Sequence, residues 1–112
     1  MTTEATSDYD LLRTLTHEQA LEYVGQTFRL MQEGQSRGDF QLTAAERLLP
    51  NRPRSKRMKR DPFSLYFLGP AEPLFAQAMY DLESDTVKLH HIFLVPLGRN
   101  EDGFYEYEAV FT

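Results

Sequence analysis

The last 26 residues constrain the fold of this chain more than any other segment does. Residues 87–96 and 104–112 are rich in β-branched and aromatic side chains, and a polar cluster with two glycines separates them at 97–103. Two such runs around a turn of this composition are typical of an antiparallel β-hairpin. In the second run every other residue is apolar or aromatic and the intervening glutamates face outward, which fixes the register, because a slip of one residue would bury them. The inward set is Tyr105, Tyr107, Ala109 and Phe111.

Shorter patterns of the same kind recur upstream. Residues 26–32 and 40–44 alternate around a polar turn at 34–39, and residues 63–68 and 78–83 form two further runs bounded by proline, glycine or polar residues. We therefore predict a mainly β fold: a small antiparallel sandwich or barrel of about six strands with a short N-terminal helix. The predicted core comprises Phe28, Leu30, Leu42, Phe63, Leu65, Phe67, Tyr80, Leu82, Phe93, Val95, Tyr107 and Phe111.

A helix is predicted over residues 16–24. Thr16 and Gln19 have the spacing of a capping box, in which each side chain bonds the other residue's backbone N–H. Gly25 is expected to end the helix, and Leu21 and Val24 are expected to face the core. Residues 1–15 are predicted to be a flexible segment that is partly helical, and residues 16–112 a single β-rich domain.

Composition excludes several classes of protein. The chain has 112 residues and no cysteine, which removes disulfides, thiolate catalysis and cysteine-ligated zinc. No apolar run approaches the roughly 18–20 residues of a membrane-spanning helix. Residues 1–15 contain three acidic residues instead of the basic head and apolar body of a secretory signal. We expect a cytoplasmic protein with no membrane partner.

No arrangement of residues predicts catalysis. His90 and His91 are adjacent in a strand and so are expected to point to opposite faces, with His91 in the core beside Leu89 and Phe93. His17 is expected to be solvated. Neither a metal-ligand spacing, a nucleophile elbow nor a phosphate-binding glycine loop is present in the sequence. We predict a protein that is not an enzyme, with no metal site, no catalytic residue and no cofactor.

Positive charge is concentrated in one short segment, which we call the basic segment. Six of the twelve basic residues fall at positions 52–60. The rest of the chain has six basic and seventeen acidic residues, so its net charge is 6 − 17 = −11. Prolines flank the segment, so an exposed loop is expected. It is the candidate partner-binding site; ordinary solvated surface, docking on an acidic protein surface, and nucleic-acid or other polyanion binding all remain open. Its residues are Arg52, Arg54, Lys56, Arg57, Lys59 and Arg60.

Four short blocks resemble a known family. They are GQTFRL at 25–30, DPFSLYFLGP at 61–70, FLVPLG at 93–98 and YEAVF at 107–111. The family is one of small uncharacterised bacterial β-rich domains, sometimes found beside phage tail-collar-like proteins. The resemblance covers residues 15–112, implies an accessory protein of unknown function and transfers no active residue. The basic segment contains more lysine and arginine here than the family leads us to expect.

These observations predict a function by contact with other molecules. The chain is expected to be a non-enzymatic structural or assembly module that acts through protein–protein contacts and is associated with phage-tail-like structures. The partner is predicted to be another protein, one with an acidic surface if the basic segment binds it. Binding of nucleic acid or another polyanion through residues 52–60 is the alternative.

Overall fold

The computed structural model describes residues 14–49 and 61–112. Six antiparallel strands close into a barrel in the order β1-β2-β3-β6-β5-β4. The predicted mainly β fold is therefore confirmed, and the barrel is the correct one of the two architectures that the sequence left open. The elements are α1 (His17–Leu21), β1 (Thr27–Gln32), β2 (Gln35–Arg47), β3 (Phe63–Leu68), β4 (Ala78–Glu83), β5 (Lys88–Arg99) and β6 (Tyr105–Phe111).

The barrel consists of two three-stranded meanders. Strands β1, β2 and β3 pair in chain order, and so do β4, β5 and β6. The meanders join along two seams, β3 with β6 and β1 with β4, so that the six described strands leave no open sheet edge. Closure satisfies the backbone groups that an edge would leave for another chain.

Aromatic rings fill the interior. Phe28 meets Phe67 edge-on at 5.7 Å, and Phe40 lies 5.1 Å from the ring of Tyr107. Offset and edge-to-face contacts of this kind add about 0.5–1.5 kcal/mol to the free energy gained by burial. Of the predicted core residues, nine are buried as expected: Phe28, Leu30, Leu42, Phe63, Leu65, Phe67, Leu82, Tyr107 and Phe111.

Helix α1 is shorter than predicted. The capping box is present: the Thr16 hydroxyl accepts from the Gln19 N–H at 3.1 Å, and the Gln19 side chain accepts from the Thr16 N–H at 3.0 Å. After Leu21 the backbone N–H groups bond carbonyls three residues back, which tightens the chain into turns. Gly25 follows with φ of 100°, and its N–H donates to the Leu42 carbonyl at 2.8 Å.

The buried face of the helix also differs from the expected one. Leu15 and Ala20 are fully buried, whereas Leu21 is 49% exposed and Val24 is 37% exposed. The prediction that His17 is solvated was wrong, because its Nε2 donates to the Ala45 carbonyl at 2.9 Å. The helix therefore packs on β2, and in the turns after Leu21 the side chain of Val24 is exposed while that of Tyr23 packs against the core.

The β1–β2 hairpin has a tighter turn than residues 34–39. Gln32 pairs directly with Gln35, so only Glu33 and Gly34 form the loop. Both have positive φ, 52° and 79°, as a two-residue type I′ turn requires. The polar residues after Gly34 extend β2 instead of forming a loop, because their side chains are exposed and no burial opposes them.

Strand β5 departs most from the predicted pattern. Tyr80 pairs with Ile92 and Leu82 with Leu89, so that one residue of β4 lies opposite two residues of β5. This β-bulge exchanges the two faces of the strand beyond it, and Ile92 and Leu94 are buried instead of the predicted Phe93 and Val95. Phe93 is exposed and Val95 is half-buried; Tyr80, also predicted as core, is partly buried and packs against the core from its edge.

Candidate functional site

The bulge of β5 is held by a carboxylate of β4. Asp81 is the residue that faces both His90 and His91, and its Oδ1 accepts from the His91 backbone N–H at 2.9 Å. His91 has φ of 61°, a conformation that costs a residue with a β-carbon about 1–2 kcal/mol. Its side chain is exposed, so the prediction of a core histidine was wrong. Strained bulges of this kind are common beside functional sites.

The second histidine makes a side-chain contact across the same bulge. His90 Nε2 donates to Glu83 Oε2 at 2.7 Å, and both side chains are about three-quarters buried, with 23% and 24% exposure. Two contacts thus hold β5 to β4 at the bulge: Asp81 binds the backbone of His91, and Glu83 binds the side chain of His90. The local shape of the bulge is fixed from both sides.

An exposed apolar row crosses the outer face of three neighbouring strands next to the bulge. Met79 of β4 pairs with Phe93 of β5, and the pairing of Leu94 with Ala109 brings Phe93 beside Val110 of β6. The exposed fractions are 56% for Met79, 46% for Phe93 and 50% for Val110. Contiguous apolar side chains on a protein surface mark interaction sites more often than isolated ones do. We refer to Met79, Phe93 and Val110 as the apolar row.

Two depressions adjoin along this face and share Met79 and His91. One, of about 460 Å³, is mainly polar, and the other, of about 250 Å³, is lined mostly by apolar residues; we call them the polar and the apolar depression. Together they form what we call the bulge groove. The polar depression is lined by Met31, Gln32, Glu33, Arg37, Met79, Tyr80, Asp81 and His91; the apolar one by Met79, His91, Ile92, Phe93, Val110, Phe111 and Thr112.

Charge in the groove is negative on balance. Glu33 and Asp81 face a single arginine, Arg37, in the polar depression. Burial raises the pKa of Tyr80 above its ordinary value, so its phenol stays neutral near pH 7. Residues 14–49 and 61–112 together carry fourteen acidic and five basic side chains, so the field around the groove has the same sign.

A polar cluster on the outer face of β3 and β6 has a structural explanation. Ser64 donates to Glu108 Oε2 at 2.6 Å, and the Tyr66 hydroxyl donates to the same oxygen at 3.2 Å. Burial, and next the charge of Glu108, raise the pKa of Tyr66. The bonds satisfy the fully buried Ser64 and tie the two strands together, which accounts for the cluster without a ligand.

A third depression, of about 520 Å³, lies beside the turn between β4 and β5. Its polar groups already bind one another: Gln26 Oε1 accepts from Ser84 at 2.7 Å and from Thr86 at 3.0 Å. Arg29 lies 3.3 Å from Asp85 across the same space. These bonds fasten the β4–β5 turn to the start of β1, so we assign the depression a structural role.

The described part of the chain contains neither a cluster of metal-binding side chains nor a membrane-spanning helix. Residues 14–49 and 61–112 contain no group of three or more histidine, aspartate or glutamate side chains placed to hold a metal ion. Within the same ranges no helix has the length and apolar character to cross a membrane.

The sequence-predicted site residues lie outside the described ranges. These are the six residues of the basic segment, Arg52, Arg54, Lys56, Arg57, Lys59 and Arg60. The bulge groove was missed by sequence reasoning, because Phe93 was assigned to the core from strict alternation. The adjacent histidines inside an otherwise apolar strand are the one signal that could have indicated a break in that alternation.

Comparison with known proteins gives a family and no individual relative. No curated protein and no solved structure matches the chain. A family described as a domain of unknown function (DUF6916) matches residues 15–111, from the residue before the capping box to the last residue of β6. Since this match spans the whole barrel, the chain belongs to the DUF6916 family.

Proposed function

We propose that this protein is a non-enzymatic structural or assembly module that acts through protein–protein contacts. The observation that carries the proposal is the apolar row, in which three side chains on adjacent strands are each about half exposed. The proposal includes the setting that the family resemblance suggests: a bacterial, cytoplasmic protein associated with phage-tail-like structures.

The row has the composition of an interface centre. Aromatic residues and methionine are enriched at protein interfaces, and charged residues are depleted from their centres. Phe93 lies between Met79 and Val110, and the polar depression beyond Met79 contributes Glu33, Arg37 and Asp81. A partner that covers the row would remove Phe93 from water and gain about 25 cal/mol for each Å² of apolar area buried.

Closure of the barrel restricts how a partner can bind. A protein with an open sheet edge can add a strand from its partner through main-chain hydrogen bonds. Each of the six described strands pairs with a neighbour on both sides over part of its length, so no complete edge strand is free for this mode. We therefore expect recognition through side chains instead of added strands, and the apolar row presents such side chains on the outer face.

The test is affinity capture from native cells with matched variants. The bait is the wild-type chain, the double variant Met79→Ser/Phe93→Ser, or the control Leu97→Ser, which removes another exposed apolar side chain outside the row. We expect a protein that is captured by wild type and control and lost from the double variant. That protein is then identified, purified and shown to bind the purified chain with the same dependence.

Two results would contradict the proposal. One is that no protein is captured by wild type and control above the level of the double variant. The other is that the captured protein, once purified, binds all three baits equally. The variants change exposed residues only, so equal melting temperatures are expected and would show that lost capture is not lost folding.

The density of the basic segment favours a second candidate, binding of nucleic acid or another polyanion. Six positive charges within nine residues can neutralise several phosphates, although the rest of the chain is acidic. The same segment is our predicted contact for an acidic protein surface. The variant Arg54→Ser/Lys56→Ser/Arg57→Ser/Lys59→Ser separates the two possibilities.

If duplex DNA is the ligand, log affinity falls linearly with log salt concentration, by about 0.9 for each phosphate neutralised. The quadruple variant should then have a shallower slope on every DNA sequence tested. If an acidic protein is the ligand, DNA binding is absent and salt weakens the protein complex by screening over about 10 Å at 0.1 M. Unchanged binding of both ligands would reject the segment as a site.

A further inference from the structure

We propose that the bulge groove binds an extended segment of the partner protein that carries an apolar side chain and, two residues away, a lysine or arginine. The inference rests on the proposed function and adds to it the chemistry of the partner. It follows from three observations on the groove: a depression lined mostly by apolar residues, an adjoining depression with more acidic than basic side chains, and the spacing of Met79 and Asp81 on β4.

The apolar half has room for one side chain. Its volume of about 250 Å³ is below the roughly 300–1,000 Å³ of small-molecule pockets. Met79, Phe93 and Val110 line it, so a leucine, phenylalanine or similar group entering it would contact apolar atoms on three strands. A single anchored side chain surrounded by weaker contacts is the usual source of binding energy in such interfaces.

The polar half selects the charge of the neighbouring group. Glu33 and Asp81 outnumber Arg37, and a carboxylate such as Asp81 can accept further hydrogen bonds besides the one from His91. A lysine or arginine there gains attraction from the groove and from the acidic barrel around it. The same charge disfavours a polyanion or a second acidic copy of this barrel as the occupant.

The spacing follows from the geometry of β4. Met79 and Asp81 are two residues apart and both point away from the core, which places their side chains about 7 Å apart along the strand at 3.4 Å per residue. An extended peptide has the same repeat, so two side chains on one of its faces, two residues apart, can contact Met79, which lines both depressions, and Asp81, which lines the polar one. One apolar and one basic residue at that spacing define the predicted motif.

The groove is already shaped for this ligand. The strained backbone of His91 is held by Asp81, and the His90–Glu83 contact holds the neighbouring residue. A site that needs little rearrangement loses less free energy on binding. The bulge is therefore part of the binding site, because it turns Phe93 outward and places His91 on the wall that the two depressions share.

The experiment is selection from a display library of random twelve-residue peptides on the immobilised wild-type chain. We expect enriched peptides to contain an apolar residue with lysine or arginine two positions away. Synthetic copies should bind Phe93→Ser at least tenfold more weakly than wild type and Asp81→Asn about fivefold more weakly. Asp81→Asn keeps an oxygen that can accept from the His91 N–H, so the bulge is retained.

Leu97→Ser is the matched control and should bind the peptides as wild type does. Enrichment of no sequence, enrichment of acidic residues at the second position, or binding that is unaffected by Phe93→Ser would overturn the proposal. Dimerisation of wild type that Phe93→Ser abolishes, measured by sedimentation velocity, would assign the face to a second copy and overturn it too. Such outcomes leave the proposed function standing if the cellular partner still requires Met79 and Phe93.

Discussion

The β3–β6 seam is regular in its pairing, whereas the β4–β5 pair of the same barrel is irregular. Along the seam six consecutive residue pairs run from Phe63 with Phe111 to Leu68 with Glu106 without a shift in register. Strand β5 shifts register against both of its neighbours, and its bulge contains a non-glycine residue with positive φ. The regular seam buries aromatic side chains, whereas the irregular pair exposes one.

The difference separates stability from binding. Regular alternation places Tyr107, Ala109 and Phe111 of β6 on the inside and leaves Val110 exposed, so this strand contributes mainly to the core. At β5 the bulge costs strain and exposes Phe93, while Ile92 and Leu94 are buried in place of Phe93 and Val95. Backbone strain of this kind is usually retained at functional sites. The following predictions test whether the β3–β6 seam serves stability and the β4–β5 pair serves binding.

Removing residues 109–112 should have the largest effect. The deletion takes Ala109 and Phe111 out of the core, including the Phe111 ring that stacks on Phe63 at 5.0 Å. Loss of an aromatic core residue alone costs about 3–5 kcal/mol, a large part of the roughly 5–15 kcal/mol that holds a domain folded. We expect an unfolded chain by circular dichroism. Native melting after the deletion would show that the seam is dispensable; removal of Thr112 alone is the control.

Gly69→Ala should be the next most damaging change. A β-carbon at Gly69 would lie 2.7 Å from the ring of Phe40 and 2.8 Å from that of Tyr107, and both rings are fully buried. Overpacking of this kind costs up to about 3 kcal/mol in the free energy of unfolding. Gly103→Ala is the matched control: open space surrounds it, and only its φ of 89° opposes alanine, at about 1 kcal/mol. Equal losses in urea unfolding would refute the steric explanation.

Tyr107→Phe should cost about 2 kcal/mol at neutral pH. The Tyr107 hydroxyl accepts from the buried Phe75 N–H at 3.0 Å, and the variant leaves that donor without its partner. Burial raises the pKa of Tyr107 above 10.0, so the unfolded chain ionises first and wild type loses stability as pH rises past 10. The variant lacks this term, so its deficit relative to wild type should shrink between pH 9 and 11 in urea titrations. A constant deficit would contradict the argument.

Substitution at the bulge should have the smallest effect. Valine at position 91 is β-branched and disfavoured at a φ of 61°, so His91→Val should lose about 1 kcal/mol. Glycine adopts that φ without strain, but it raises the conformational entropy of the unfolded chain. These effects nearly cancel, so His91→Gly should be about as stable as wild type. Thermal melting of both variants is the measurement. A valine variant as stable as wild type would mean that the bulge stores no strain.

Sequence alone indicated the regular parts of this molecule. The alternation around Tyr107 and Phe67 predicted buried faces that the structure confirms, and the spacing of Thr16 and Gln19 predicted a capping box that is present. These features depend on side chains close together in the chain. Local patterns therefore sufficed for them.

The bulge and the closure depend on contacts that local patterns do not contain. The positive φ of His91 is held by Asp81, ten residues away, and neither residue is a glycine or asparagine that would signal it. Whether β1 meets β4 decides between a sandwich and a barrel, and that seam joins Arg29 to Glu83. The same strict alternation that located β6 misplaced Phe93, and with it the candidate site.

Closure also has a consequence for how the chain reaches its native state. Both seams join residues far apart in sequence, Arg29 with Glu83 and Phe63 with Phe111, and such contacts slow folding because long loops must close first. Until both seams form, each meander has unpaired strands that can pair with other chains. Aggregation should thus depend on how long the barrel stays open during synthesis or refolding, and a chaperone that shortens or shields that interval should raise yield without changing the finished protein.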